Sequence, residues 1–241
     1  DGAIDPVLVS KALVAAAIQQ GAQVLERCEL LGVDDSSDQK GKLLRTSCGP
    51  IEADRVVLAT GPDPVAVKRF GGFDLPQRST PGVIVVTRPV KPLLRGILVA
   101  PGIHIHQRMD GRLVIGEQEG APDTAAHAAR LADRPTRFPD DSVENQHAQS
   151  LLATTRNYLP SIGEVEVDEV LIGWRPLPVD GHPVIGPSPA DDRVYVAIMH
   201  SGVSLAAITG DLVARELADG VEMALLSPFR ANRVFDTKNR Y

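Results

Sequence analysis

Two cysteines, Cys28 and Cys48, and one tryptophan, Trp174, are all that 241 residues contain of either type. The cysteines lack the CxxC or Cys/His spacing of a metal site, so no metal is expected. They read as reduced, structural thiols of a cytoplasmic protein, where bridged pairs are rare. No run approaches the ~20 apolar residues that a membrane span needs. Residues 1–20, DGAIDPVLVSKALVAAAIQQ, also lack the basic start and unbroken apolar core of a signal peptide. Positive charge is in short supply as well. A net charge of −6 speaks against a general grip on nucleic acid, which needs a basic face. Internal repeats and low-complexity tracts are missing. What remains is ordinary globular composition, 43% hydrophobic and 23% charged, long enough for one large domain or two small ones.

The pattern along the chain changes twice. Asp5-Pro6 has the form of a helix start, and the apolar residues from Val7 to Ile18 follow helical spacing up to Gly21. AQVLERCELLGV (22–33), LLRTSCG (43–49) and RVVLATG (55–61) read as strands, with Gly49-Pro50 as a turn. RVVLATG has the continuous apolar character of a strand buried on both faces. Short strands then follow at 82–90, 96–101, 103–107 and 112–118, the last two joined at Met109-Asp110-Gly111 as a hairpin. Such strands make an antiparallel sheet. Glu117 to Ser142 reads as a long, polar, partly helical excursion. A polar helix follows from Ser142 to about Tyr158, begun by the acidic cluster Asp140, Asp141 and Glu144. EVLIGWRP (169–176) and RVYVAIMH (193–200) return as strands, and 202–218 has the periodicity of an amphipathic helix. The order implies α/β material interrupted by an α+β, antiparallel insert. The expected domains are 1–75 with 165–241, and 76–164.

Chemistry concentrates late in the chain. In GWRPLPVDGHPVIG, Gly173 to Gly186, Arg175 is suited to a two-pronged ion pair with a carboxylate, which lysine cannot copy. Asp180 shapes the turn by accepting nearby backbone N–H bonds. RVYVAIMH runs into HSG and a helix, a junction that leaves backbone N–H groups facing a crevice. Gly61 offers a second close approach of backbone to ligand. Tyr195 belongs to the core. His104 and His106 share a strand face, and His104 is a substrate-lining candidate.

These segments together resemble the D-amino-acid oxidase-like FAD-dependent oxidoreductases, the family of glycine and sarcosine oxidases. The likeness covers GWRPLPVDGHPVIG, RVYVAIMHSGVSLAAITGDLVARELADG, RVVLATGPDP, HIHQRMDGRLVIGEQE and DGAIDPVLVSKALVAAAIQQGAQV. It implies a Rossmann-like FAD-binding domain interrupted by an antiparallel substrate domain, and oxidation of a C–N bond in an amino acid or secondary amine. Arg175 would clamp the substrate acid and His104 would face the substrate. Noncovalent FAD would meet Leu30, Thr60, Gly61, Gly173, Trp174 and the turn His200, Ser201, Gly202, Val203, Ser204 and Leu205.

The family's GxGxxG turn, which holds the FAD pyrophosphate, occurs nowhere in the chain. The FAD domain is therefore expected to be incomplete, and the chain to be a fragment of a longer enzyme. The alternative is a cofactor-free structural or partner subunit. Strand RVYVAIMH is expected to lack a parallel neighbour, and an exposed sheet edge to favour self-association or a second chain.

Overall fold

The computed structural model describes residues 2–117 and 134–236, the side chain of Ser79 excepted. Most of the expected excursion from Glu117 to Ser142 lies outside them. The chain divides into two compact units, one formed by Asp1–Asp5 and Thr80–Arg175, the other by Pro6–Ser79 and Pro176–Tyr241.

The first unit is built on the five-stranded sheet β6-β7-β8-β5-β9, with β5 Gln77–Thr87, β6 Leu98–Ala100, β7 Ile103–Gln107, β8 Leu113–Glu117 and β9 Val167–Pro178. The ladders β5/β8, β6/β7 and β7/β8 are antiparallel, and Gly111, at φ 89°, turns β7 into β8. Odd-numbered residues of three strands (Val83, Val85, Ile103, Ile105, Leu113 and Ile115) form one buried face. A helix, Asp141–Tyr158, lays Ala148, Leu151 and Leu152 onto that core. Asp140 caps it by accepting the Val143 N–H at 2.9 Å, as the acidic cluster suggested.

In the second unit, α1 (Pro6–Gln19) and α2 (Pro64–Gly71) accompany two three-stranded sheets. The first sheet joins β1 (Leu30–Asp35), β2 (Lys42–Thr46) and β3 (Gly49–Ala53) in antiparallel order. Residues 22–29 stay outside the ladder, and Ser47-Cys48 rather than Gly49-Pro50 makes the turn. The second sheet runs β10-β11-β4, from Val184–Pro187, Val194–Ile198 and Val56–Leu58. Strand β11 does have a parallel neighbour: Val194, Tyr195 and Val196 pair with Val56, Val57 and Leu58 of β4. As the edge strand, β4 buries Val56 and Leu58 but leaves Val57 42% exposed, so burial on both faces does not hold.

With the helix of the first unit counted as α3, the last helix, α4, spans Ala206–Asp219. It begins four residues later than expected because a turn comes first. Ser201 takes the left-handed conformation at φ 61°, and the Leu205 N–H closes onto Ser201 O at 3.0 Å. The helix α1 matches its apolar spacing, yet none of its residues is buried, and Leu8 is 65% exposed. Among the described residues, no helix is long and apolar enough to cross a membrane.

Three buried or half-buried charge clusters stand out in the second unit. Lys42, nearly buried, bridges Asp35 at 2.8 Å and Asp191 at 2.7 Å. Arg233 forks onto buried Asp180 at 2.8 and 3.0 Å, while Asp180 also accepts the His182 N–H at 3.1 Å. Glu216 of α4 receives Arg230 Nη1 at 2.9 Å, the Met223 N–H at 2.6 Å and the hydroxyl of core residue Tyr195. Burial pushes the Glu216 carboxyl up, but the Arg230, Tyr195 and Met223 hydrogen bonds outweigh it and bring it from 4.5 to about 2.

A depressed carboxylate stabilises the fold above its unfolded value, and that stability is lost as pH falls towards the folded one. Glu216 should therefore contribute up to about 3 kcal/mol at neutral pH, lost between about pH 5 and pH 2. Glu216→Gln leaves Arg230 only the more distant Glu222, at 3.5 Å, and should cost roughly 2–4 kcal/mol at pH 7. Its urea-unfolding free energy should also fall less between neutral and acid pH than that of the wild type. An equal fall in both proteins would remove Glu216 as the source.

Candidate functional site

The odd-numbered face of the antiparallel sheet is spent on the core, so the even-numbered face is where side chains are available for chemistry. There the ladder sets His104 opposite Gly116, and Gly116 opposite Ile84, two residues along β5 from Gly82. In β9, Val170 and Ile172 join the core, so alternation sends Leu171, Gly173 and Arg175 to the other side. The Arg175 side chain then reaches over Gly82. A Cβ at 82 would lie 2.6 Å from Arg175 Nη2, and one at 116 would lie 2.2 Å from His104 Cε1 and Nε2. Two glycines on adjacent strands thus make room for the guanidinium and the imidazole.

Arg175 is fixed by backbone rather than by acids. Its Nη1 donates to Pro81 O and its Nη2 to Glu117 O, both at 3.2 Å. Among the described residues no carboxylate forms an ion pair with it. Because a guanidinium carries five N–H groups, donors remain for a ligand. Burial, then the Arg175 charge, lowers the pKa of His104. Burial, then Arg108 and His104, lowers that of His106. Both rings are consequently held in the neutral form at neutral pH. Trp174 is not part of this cluster. It points to the opposite face from Arg175, where its indole N–H donates to Pro135 O at 3.0 Å.

In the second unit the parallel pair β4/β11 supplies a separate group. Both strands run the same way, so the loops after Leu58 and after Ile198 leave from the same end of the sheet. The carboxyl ends of parallel strands are where open α/β sheets bind ligands. Thr60 and Gly61 follow β4, and the residues from His200 to Leu205 follow β11. Gly61 sits at φ 59°, its carbonyl accepting Gln77 Nε2 at 3.3 Å, with nothing within 4 Å of a Cβ. Left-handed backbone, not crowding by protein, is thus what calls for glycine there. His200 Nδ1 and Ser201 Oγ lie 2.8 Å apart, and Ser201 to Ser204 are exposed. Leu30, at the start of β1, packs its side chain toward Val56, Leu58 and Val194.

Sequence reasoning missed two parts of this arrangement. The glycine gaps at 82 and 116 show only once strand register is known. The helix α2 could have been found, because Asp63-Pro64 repeats the Asp-Pro signal of α1. Asp63 caps it, accepting the Val65 and Ala66 N–H groups at 3.1 and 3.2 Å.

Residues 1–216 match the family model DAO, FAD dependent oxidoreductase. The chain is 30% identical over 237 residues to glycine oxidase from Geobacillus kaustophilus, covering 97% of this chain and 58% of that protein. Glycine oxidase from Bacillus subtilis is 29% identical over 239 residues, with 95% and 58% covered. The crystal structure of the Geobacillus kaustophilus glycine oxidase superposes with a TM-score of 0.75 at 30% identity, over 94% of this chain and 57% of that one. L-proline dehydrogenase from P. horikoshii shares the fold, with a TM-score of 0.73 at 19% identity over 92% and 57%. The chain thus spans about 58% of the length of these curated relatives.

The Arg175 charge should be legible in the His104 titration. In Arg175→Met, the imidazole pKa followed by NMR at its ring protons should rise, because a nearby positive charge is removed. It should still lie below that of a solvent-exposed histidine, because burial persists. An unchanged His104 titration would separate the two side chains electrostatically.

Proposed function

Because the chain belongs to the DAO family of FAD-dependent oxidoreductases, we propose that it is part of an enzyme that oxidises the C–N bond of a small amino acid or secondary amine. The observation that carries the reading is Arg175: a guanidinium fixed by two backbone carbonyls, set among glycines beside a neutral His104. Its remaining N–H donors fit a substrate carboxylate. A neutral imidazole adds no second positive charge, so the cluster presents one charge, matching one acid. His104 can accept a hydrogen bond from the substrate amine, and Gly82 and Gly116 let the guanidinium and the imidazole lie close against the sheet.

The two units take different roles in this reading. The unit containing the five-stranded sheet binds the substrate. The unit containing β4 and β11 binds FAD noncovalently through Thr60, Gly61 and the turn from His200 to Leu205, with Leu30 toward the adenine end. FAD, when bound, supplies the two-electron acceptor for the hydride leaving the carbon beside the amine. Exposed backbone N–H groups of the turn before α4 suit negative charge on the reduced cofactor. The Trp174 indole, on the far face of β9, supports that strand through Pro135 instead.

No GxGxxG turn occurs in the chain, so the pyrophosphate cradle comes from further residues of the kind that the longer relatives carry, or from a second chain meeting the β4 edge. The same feature favours the rival reading, a partner subunit that keeps the fold without binding FAD.

The purified chain should be mixed with FAD, desalted and examined by visible absorption. Retained flavin bands that shift on adding a small carboxylate such as acetate are the expected result. Arg175→Met should keep the flavin but weaken acetate binding by about 10²-fold, the loss expected for one charged, two-pronged contact. A chain that retains no flavin would mean that it does not hold the cofactor without that cradle, an outcome that the partner-subunit reading shares. Retained flavin with unaltered acetate binding in the variant would remove Arg175 as the clamp.

A further inference from the structure

The two cysteines, distant in sequence, meet at one end of the β1-β2-β3 sheet. Register puts Leu30 opposite Thr46, and one step on the Ser47 N–H donates to Glu29 O at 2.9 Å while the Glu29 N–H donates to Ser47 Oγ at 2.9 Å. One residue further on each side stand Cys28 and, in the turn between β2 and β3, Cys48, whose thiols lie within hydrogen-bonding reach of one another. Thr46 holds both residues in place. Its hydroxyl accepts the Cys28 thiol at 3.3 Å and the Cys48 N–H at 3.1 Å, and donates to Gly49 O at 2.5 Å. Cys48 is exposed and Cys28 half-buried, so a small oxidant has access to the pair.

We propose that Cys28 and Cys48 are a redox-modification site, a vicinal dithiol that closes to a disulfide by exchange with a small-molecule disulfide such as oxidised glutathione. The Cys28 thiolate attacks one sulfur of the small disulfide, whose S–S bond breaks. One thiolate leaves and takes up a proton, and a mixed disulfide remains on Cys28. Cys48, losing its own proton, attacks the Cys28 sulfur and expels the second small thiol. Two protein thiols lose two electrons in total, and one small disulfide becomes two thiols. The order of attack follows from the surroundings. A hydrogen bond from Cys48 lowers the Cys28 pKa, whereas Cys28 raises that of Cys48. Thiolate character selects the attacking sulfur. The bond closes a loop containing β1 and β2, and pins the start of β1 to the β2–β3 turn.

The test uses the 241-residue chain, equilibrated without oxygen in buffers of graded reduced-to-oxidised glutathione ratio and quenched with iodoacetamide. Intact mass should show one two-electron transition, from a species alkylated twice to one unalkylated and lighter by two hydrogens. Cys28→Ser and Cys48→Ser should each carry one glutathione instead. The oxidised wild type should unfold at a temperature higher by on the order of 5 °C. Should either variant fail to fold, proteolysis of the oxidised wild type must still yield the Cys28 and Cys48 peptides linked to each other. Double alkylation at every ratio, two glutathione adducts on one wild-type chain, or a link between two chains would each overturn the proposal.

Discussion

Alternation along an extended chain sends successive side chains to opposite faces, and in β5, β7 and β8 this constraint divides stability from chemistry. Ile103, Ile105, Leu113 and Ile115 are fully buried beneath α3. Each is worth about 1.5–3 kcal/mol when removed from water. His104 and Gly116 alternate with these residues and are therefore delivered to the other face at no cost to the core. A slip of one residue in the β7/β8 ladder would exchange the two sets, placing a histidine against α3 and isoleucines in the site. The buried face thus fixes the register, and the register positions the site.

Charge plays a different part in each unit. Asp180, Asp191 and Glu216 are all met by basic side chains, and each carboxyl is held below its ordinary value. Their function is structural, since each fastens a turn or helix to a strand or to the last described stretch of chain. Arg175 is treated otherwise. It is steadied by carbonyls that cannot neutralise it, so its charge remains effective toward whatever approaches. The contrast between a neutralised arginine such as Arg233 and an arginine held by neutral groups is the strongest sign of function in the molecule.

Much of this was legible in the residues. Period-two patterning in IHIHQ and RLVIGEQ gave the hairpin, and the Asp-Pro signal with helical spacing gave α1. The setting of Asp180 within DGHP gave its turn, although its partner Arg233 lies too far along the chain for local pattern to reveal. Local pattern also misplaced boundaries. AQVLERC was apolar enough for a strand, but the ladder begins only at Leu30, where Thr46 is available to pair with it. The start of α4 was hidden because a left-handed Ser201 is a property of tertiary context, not of the tripeptide HSG. Trp174 shows the same limit: adjacency to Arg175 in sequence means opposition across a strand.

The glycines at 82 and 116 also constrain how such a site can change over evolutionary time. Any side chain at either position would meet Arg175 or His104, so β5 and β8 are closed to gradual alteration at these two positions while those residues stay. Variation in what the site accepts has to enter through β7 and β9, whose side chains border the space rather than define its floor. A lineage that replaced His104 with a smaller residue would release Gly116 from its restriction. The order in which substitutions become tolerable is therefore written into the sheet, with β7 changing first and β8 only afterwards.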